Sequence, residues 1–208
     1  MARAIRAPGP GAREAVLVWD LPLRLFHWTL VLLFLAAWWT GSREKLFALH
    51  EACGLALSGL LVFRVVWGFA GNRAARFASF LGGPRAVGSH LRDLLRGRLH
   101  PEPGHNPLGG WAVAVMLGLL LTEVMSGLFS STFDYEGPLA RLLPDSWTDS
   151  MAAIHAVNLD LLWGMIGLHL LGVVATSILG RESLVGAMIT GRKRLAGRPI
   201  ALDASRKP

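Results

Sequence analysis

The feature that most constrains this chain is a set of four apolar blocks, each long enough to cross a lipid bilayer. A membrane-spanning α-helix needs about 20 apolar residues, and the blocks cover about residues 21–40, 46–70, 108–130 and 151–179. The blocks are continuous, whereas a barrel strand needs only about 10 residues of alternating character. The sequence therefore predicts an all-α integral membrane protein, a four-helix bundle.

Composition supports this class and excludes others. Of the 208 residues, 17% are charged, against roughly 25% in soluble domains. A soluble multidomain protein, a disordered chain and a disulfide-stapled secreted module therefore fit poorly. We predict one transmembrane domain over residues 15–194, with a flexible arm at 1–14 and a basic flexible tail at 195–208. The first block is too long for the apolar region of a signal peptide, about 7–15 residues, so we interpret it as a span.

The distribution of basic residues predicts the orientation of the spans. Of the 21 lysines and arginines, 17 lie in the N-terminal arm with the start of the first span, the loop between the second and third spans, and the C-terminal segment, and 3 lie in the two opposite loops. Basic residues favour the cytoplasmic side. Both termini are therefore predicted to be cytoplasmic, in a bacterial inner membrane. The net charge of +7 reflects this topology, and no nucleic-acid partner is expected.

A basic segment at about residues 84–99 has two interpretations. It places Val87, Leu91, Leu94 and Leu95 on one helical face with arginines around them. This pattern is typical of a short helix lying on the cytoplasmic membrane surface. An irregular basic loop is the alternative that the sequence leaves open.

The histidines indicate the chemistry. Four of the seven lie in or beside the spans: His27, His50, His155 and His169. Ionisable residues inside a membrane are costly and usually functional. His155 and His169 are 14 residues apart, which is about 40° short of four helical turns and about 21 Å along the axis. One helix thus presents an imidazole near each membrane surface, on a shared face.

Topology sorts these histidines into two pairs at different depths. His50 and His155 fall at the periplasmic level, and His27 and His169 at the cytoplasmic level. Two facing imidazoles at each depth are what two six-coordinate haem b groups require, so we predict these four histidines as the iron ligands. Structural zinc sites instead cluster four ligands. The single cysteine, Cys53, excludes a C-x-x-C-H attachment and an iron–sulfur cluster, so the cofactor is bound non-covalently.

Neighbouring residues extend the predicted sites. Gly54 and Gly172 lie near histidines on their own helices, where a missing side chain leaves room for a flat macrocycle. Arg64 and Arg24 are positioned to bind haem propionates in the bidentate manner of guanidinium groups.

Glu123, inside the third block, has two interpretations: a proton relay to a quinone, or a structural hydrogen bond to a neighbour. No arrangement of nucleophile and base is evident, so we expect an electron-transfer subunit rather than a stand-alone enzyme.

Several short motifs resemble the bacterial cytochrome b561 superfamily, which includes the cytochrome b subunits of nickel–iron hydrogenases. They are WDLPLRLFHW (19–28), LHEACG (49–54), FRVVWGFAG (63–71), GHNPLGG (104–110) and AMITGRKR (187–194), with the two histidines of the last block. The resemblance implies a four-helix membrane protein with two b haems, held by bis-histidine ligation. It implies His27, His50, His155 and His169 as ligands, the four found above. The six-helix ascorbate-dependent relatives do not fit, because two helices are missing.

The resulting prediction is transmembrane electron transfer between a periplasmic redox partner and a quinone or another carrier. The loop at 131–150 carries four acidic residues and one arginine, a patch suited to docking a basic c-type cytochrome. One alternative is a quinone-reactive membrane anchor of a larger oxidoreductase such as a hydrogenase. Another is a haem-free transporter or scaffold. The sequence does not determine the oligomeric state, and a homo-oligomer is one of the alternatives.

Overall fold

The computed structural model describes residues 14–96, 104–180 and 183–195. The predicted arm and tail lie outside these residues, apart from Glu14 and Leu195. In chain order the elements are β1 (Glu14–Leu17), α1 (Leu21–Gly41), α2 (Phe47–Ala70), α3 (Phe77–Phe80), α4 (Pro84–Leu95), α5 (Pro107–Phe129), α6 (Asp145–Gly180), α7 (Leu184–Thr190) and β2 (Arg192–Leu195), with 3₁₀ turns at Glu44–Leu46 and Ala140–Leu142. Four of the described helices, α1, α2, α5 and α6, are long and apolar enough to span a membrane. The prediction of an all-α protein with four spans is confirmed.

Two of the spans begin with the same N-terminal capping arrangement. Asp20 accepts a hydrogen bond from the Leu23 N–H at 3.0 Å, and Asn106 accepts one from the Gly109 N–H at 2.6 Å. A proline follows within the first two helical positions in both cases, where its missing N–H removes no intrahelical bond. These caps fix where α1 and α5 start.

The spans pack as two neighbouring pairs, α1 with α2 and α5 with α6, and α2 also contacts α5. The central core consists of small and apolar side chains: Phe34, Ala37, Cys53, Leu57, Leu61, Leu120, Val124 and Leu162. Large apolar side chains also cover the outside, as Leu32 (68% exposed) and Leu171 (65% exposed) illustrate. Apolar outer faces of this extent are what a lipid environment requires.

The last span is longer than predicted. The apolar block indicated 151–179, but α6 begins at Asp145 and runs for 36 residues. At 1.5 Å per residue its length is about 54 Å, whereas the hydrocarbon core is about 30 Å thick. Its first turn is polar, and the Thr148 N–H bonds the carbonyl of Pro144 at 3.2 Å. An apolar pattern marks the part of a helix suited to lipid, so it does not detect a polar extension.

A two-stranded antiparallel ladder, absent from our predictions, joins the two ends of the described chain. β1 pairs with β2 in the register Glu14 to Leu195 and Leu17 to Arg192. Gly191, before β2, has a φ of +78°, and its carbonyl accepts the N–H groups of Val18 and Trp19 at 2.8 and 3.1 Å. Both chain ends therefore meet at one end of the bundle.

The basic segment after α2 contains a regular helix. α4 covers Pro84–Leu95 of the predicted 84–99, and residues 97–99 lie outside the described residues. α4 contacts α5, and the Trp111 indole N–H donates to the carbonyl of Gly82 at 2.8 Å. The helical alternative therefore describes this segment, and its position on a membrane surface stays a prediction.

Candidate functional site

His50 and His155 face each other near one end of the bundle. His50 lies in the first turns of α2 and His155 on α6. Their ring centroids are 6.2 Å apart and the ring planes are nearly perpendicular, at 87°. The two residues are 105 positions apart in sequence, and the fold brings them together as the depth argument predicts.

The hydrogen bonds of both rings define their tautomers. Nδ1 of His50 lies 2.8 Å from the carbonyl oxygen of Ala37, and Nδ1 of His155 lies 2.9 Å from that of Glu123. A carbonyl oxygen only accepts, so Nδ1 carries the hydrogen in each neutral imidazole. Nε2 is then the unprotonated nitrogen, the form that binds a metal ion.

The spacing of the rings suits one ion held between them. A metal–imidazole bond is about 2 Å long and the ring centre lies ~1 Å further on, so two imidazoles that would hold the same ion would have ring centres up to about 6 Å apart. The observed 6.2 Å agrees with this value. Each ring is held in place by a hydrogen bond to a main-chain carbonyl. Its position therefore does not depend on direct contact with the other ring.

Two glycines that the sequence analysis missed allow the rings to lie where they do. A Cβ at Gly41 would lie 2.9 Å from Nδ1 of His50, and one at Gly127 would lie 3.0 Å from Cε1 of His155. Gly54 and Gly172, the glycines predicted from helical spacing, make no such close approach to a histidine ring. A Cβ there would meet no heavy atom of the described part of the chain within 4 Å, so these residues leave open space beside both.

Several polar side chains lie around His155 inside the membrane-spanning region. The Glu123 carboxylate lies 3.5 Å from Nδ1 of His155, and the Ser126 hydroxyl lies 3.3 Å from the same atom. The Asn158 amide donates to Glu123 Oε2 at 2.6 Å. Of the two interpretations of Glu123, the structure shows the hydrogen bond to a neighbour.

The other predicted pair lies near the opposite end of the bundle. His27 on α1 and His169 on α6 are close enough to interact electrostatically. Arg64, which is 3% exposed, donates to the carbonyl of Ala75 at 3.2 Å and lies over the Phe77 ring. The Arg24 guanidinium donates to the carbonyl of Ile189. Both predicted propionate-binding arginines are thus held beside this region by main-chain carbonyls.

His105, in the loop before α5, belongs to the same region. Its ring lies between those of Trp19 and Phe80, with centroids 4.7 and 5.1 Å away. Burial, followed by the charges of Arg64, His169 and Lys193, lowers the pKa of His105 to about 4. His105 is therefore neutral at pH 7 in this arrangement.

Comparison with known proteins decides the family. The sequence model described as "Prokaryotic cytochrome b561" matches residues 18–191, which is most of the chain. The chain belongs to the prokaryotic cytochrome b561 family. No solved structure matches it.

Curated relatives agree with this assignment. A protein of Rhizobium leguminosarum bv. viciae named "Probable Ni/Fe-hydrogenase B-type cytochrome subunit" is 25% identical, over 89% of this chain and 92% of the relative. Proteins with the same name from Bradyrhizobium diazoefficiens and Azotobacter vinelandii are 23% and 26% identical, and over 85% of each chain is aligned. With its four spans, this family member is a bacterial multi-pass membrane protein with a haem b electron-transfer role.

The residues present fit haem b. Among the residues that the structure describes, four buried polar atoms near the His27 end have no hydrogen-bond partner: Arg24 Nε, His27 Nδ1, Arg64 Nη1 and His105 Nδ1. Unpaired buried donors are costly, and acidic groups such as haem propionates would accept from the two arginines. The donor set of neutral imidazoles and guanidinium groups is therefore the one that a b-type haem requires.

Proposed function

We propose that this family member carries electrons across the membrane through two haem b groups, one held by His50 and His155 and the other by His27 and His169. The facing arrangement of the His50 and His155 rings, 6.2 Å apart with both Nδ1 atoms bound to carbonyls, is the observation that carries the proposal. When bound, haem b supplies a reversible one-electron couple. No side chain breaks or forms a substrate bond in this function.

The chain's own residues provide ligation, orientation and charge. The carbonyls of Ala37 and Glu123 orient the two rings so that Nε2 is available. Arg24 and Arg64 hold propionates at the other site, and the neutral His105 ring provides a further polar contact there. Gly54 and Gly172 leave room for the edges of the macrocycles.

We further infer that both chain ends are cytoplasmic, in the bacterial inner membrane. The excess of basic residues at the ends and in the loop between α2 and α5 supports this orientation. The pairing of β1 with β2 joins the two ends of the described chain, which supports a common side for both. His27 and His169 then form the cytoplasmic site, and His50 and His155 the periplasmic one.

A surface for taking up electrons lies beside the proposed periplasmic site. Tyr135, in the acidic loop, stacks on Phe47 with centroids 3.9 Å apart, and Phe47 stacks on His50 at 5.6 Å. We propose that a redox partner docks on this loop, which would bring its electron close to the His50 ring. A basic c-type cytochrome suits the acidic residues of the loop.

The names of the curated relatives favour a second candidate: a membrane subunit that takes electrons from an attached hydrogenase-like enzyme. In either case a quinone or another carrier receives the electrons. Co-purification with metal-containing subunits would select the second candidate.

Single histidine substitutions test the proposal. We expect His50→Ala and His155→Ala each to remove the same haem, identified by its midpoint potential, and His27→Ala and His169→Ala each to remove the other. His90→Ala on α4, outside both sites, is the control and should retain both. If His50→Ala and His155→Ala removed different haems, the proposed pairing would be wrong.

A further inference from the structure

Glu123 is an unusual residue for the interior of a bundle in lipid. It lies on α5 and is 9% exposed. Carboxyl groups within membrane spans are costly and tend to mark functional positions. The electron-transfer function proposed above uses only its main-chain carbonyl, and the side chain has so far been assigned only the hydrogen bond from Asn158.

Asn158 holds this carboxylate in one position. Its amide group donates to Glu123 Oε2 at 2.6 Å and to the Leu119 carbonyl at 3.0 Å, and the side chain is 4% exposed. Asn158 thereby links α6 to α5 one turn below His155.

The second oxygen of the same carboxylate faces the histidine. Glu123 Oε1 lies 3.5 Å from Nδ1 of His155, which is an electrostatic contact, and the Glu123 main-chain carbonyl accepts the Nδ1–H at 2.9 Å. One residue therefore places both a dipole and a charge beside the same ring nitrogen. His50, across from it, has its Nδ1 against the neutral carbonyl of Ala37.

We infer that Glu123, held by Asn158, is a positioning residue that orients His155 and lowers the midpoint potential of the haem at the His50–His155 site. A negative charge beside Nδ1–H makes the imidazole a stronger donor to iron, and this favours the oxidised state. The inference depends on the proposed function, since it assumes that His155 is a ligand.

The test is a potentiometric titration of the purified protein, followed by visible spectra. Glu123→Gln keeps the size of the side chain and its main-chain carbonyl but removes the charge. We expect the ratio of reduced to oxidised haem at the His50–His155 site, at a fixed applied potential, to rise about tenfold, which corresponds to about 59 mV for a one-electron couple. The other haem should change much less.

Asp160→Asn is the matched control. It removes one carboxylate charge from α6, five positions after His155, at an exposed position. We expect it to leave the ratio unchanged, because its charge does not contact the ring. A variant Glu123→Gln protein with both haems and an unchanged ratio would overturn the inference and leave the proposed function intact. A parent protein with fewer than two haems would instead refute the proposed function.

Asn158→Leu provides a second test if Glu123→Gln does not fold. It keeps the charge but releases the carboxylate, so we expect a change in the low-spin ferric EPR signal of the same haem, with a smaller rise in its potential. An unchanged EPR signal and potential in Asn158→Leu would also overturn the inference.

Discussion

At the scale of single residues, the His50–His155 pair is defined by contacts from neighbouring helices. The last turns of α1 contribute the Ala37 carbonyl and Gly41, and those of α5 contribute the Glu123 carbonyl and Gly127. Each ring thus has a hydrogen bond on Nδ1 and lies against a glycine, which has no side chain to displace it. Because fixing a flexible ligand costs entropy, a ring held before the cofactor binds favours tighter binding.

Gly127→Val tests this arrangement. The first carbon of the new side chain would lie 3.0 Å from the His155 ring, so the ring must move, at a cost of about 1–3 kcal/mol. We expect the haem at this site to fall below half of its normal amount, measured from the spectrum at its own potential.

Gly118→Val, on the same helix, is the control for that substitution. Within the residues that the structure describes, a Cβ at Gly118 meets no heavy atom within 4 Å, so we expect normal haem content. Equal haem loss in both variants would show that β-branched residues in α5, and not the contact with His155, cause the effect.

The sequence predicts four histidines as the site, and the structure brings His50 and His155 together, but the sequence did not indicate the residues that support these rings. Helical spacing puts His155 and His169 on one face of the last span. The depth at which each histidine enters the membrane then pairs His50 with His155 and His27 with His169. Gly54 and Gly172 were chosen by distance along their own helices, whereas Gly41 and Gly127 approach the rings from other helices. Contacts of that kind depend on how the helices rotate against each other, which a single sequence does not specify.

At the scale of elements, the β1–β2 ladder closes one end of the bundle. Val18, Trp19 and Ala187 belong to one buried cluster, and the Trp19 ring lies 4.7 Å from the His105 ring, tilted by 54°. Gly191 makes this possible, since its φ of +78° turns the chain from α7 into β2. The ladder therefore supports the region that contains Arg24 and His105.

Gly191→Ala is expected to destabilise this end of the molecule. A residue with a side chain pays about 1–2 kcal/mol in the left-handed conformation, and the new Cβ would lie 2.6 Å from the Trp19 carbonyl oxygen. We expect a lower melting temperature in detergent and weaker retention of the haem at His27 and His169. Gly180→Ala, where a Cβ meets no atom of the described residues within 4 Å, should behave like the parent. A Gly191→Ala protein as stable as Gly180→Ala would contradict this role of the ladder.

The elements differ in how well the sequence predicts them. The four spans follow from long apolar blocks, because insertion in lipid depends on local composition. The ladder has only four residues per strand, and its partners are separated by most of the chain, so no local pattern indicates it. The apolar pattern also misses the polar start of α6, because helix formation there depends on propagation from the apolar part.

At the scale of the whole molecule, charge and connectivity suggest one orientation. Basic residues are concentrated at the two chain ends and in the loop between α2 and α5. The acidic loop, with a fully exposed Phe133 at its tip, lies between α5 and α6 on the opposite side by connectivity. Electron uptake and delivery would then occur on different sides of the membrane.

Cysteine labelling in intact cells tests this orientation. The native Cys53 is buried, so it provides a low background for a membrane-impermeant maleimide. We expect Phe133→Cys to be labelled in intact cells with a permeable outer membrane, and Arg192→Cys to be labelled only after the inner membrane is opened. The reverse labelling pattern would show that the topology is opposite to the proposed one, and it would not affect the haem pairing.

The amount of haem per chain tests the central claim most directly. We predict that the purified full-length protein gives two haem b groups per polypeptide in a pyridine haemochrome assay, both low-spin in the oxidised protein. A ratio of one would contradict the two-site account, and a colourless protein would contradict bis-histidine haem binding altogether.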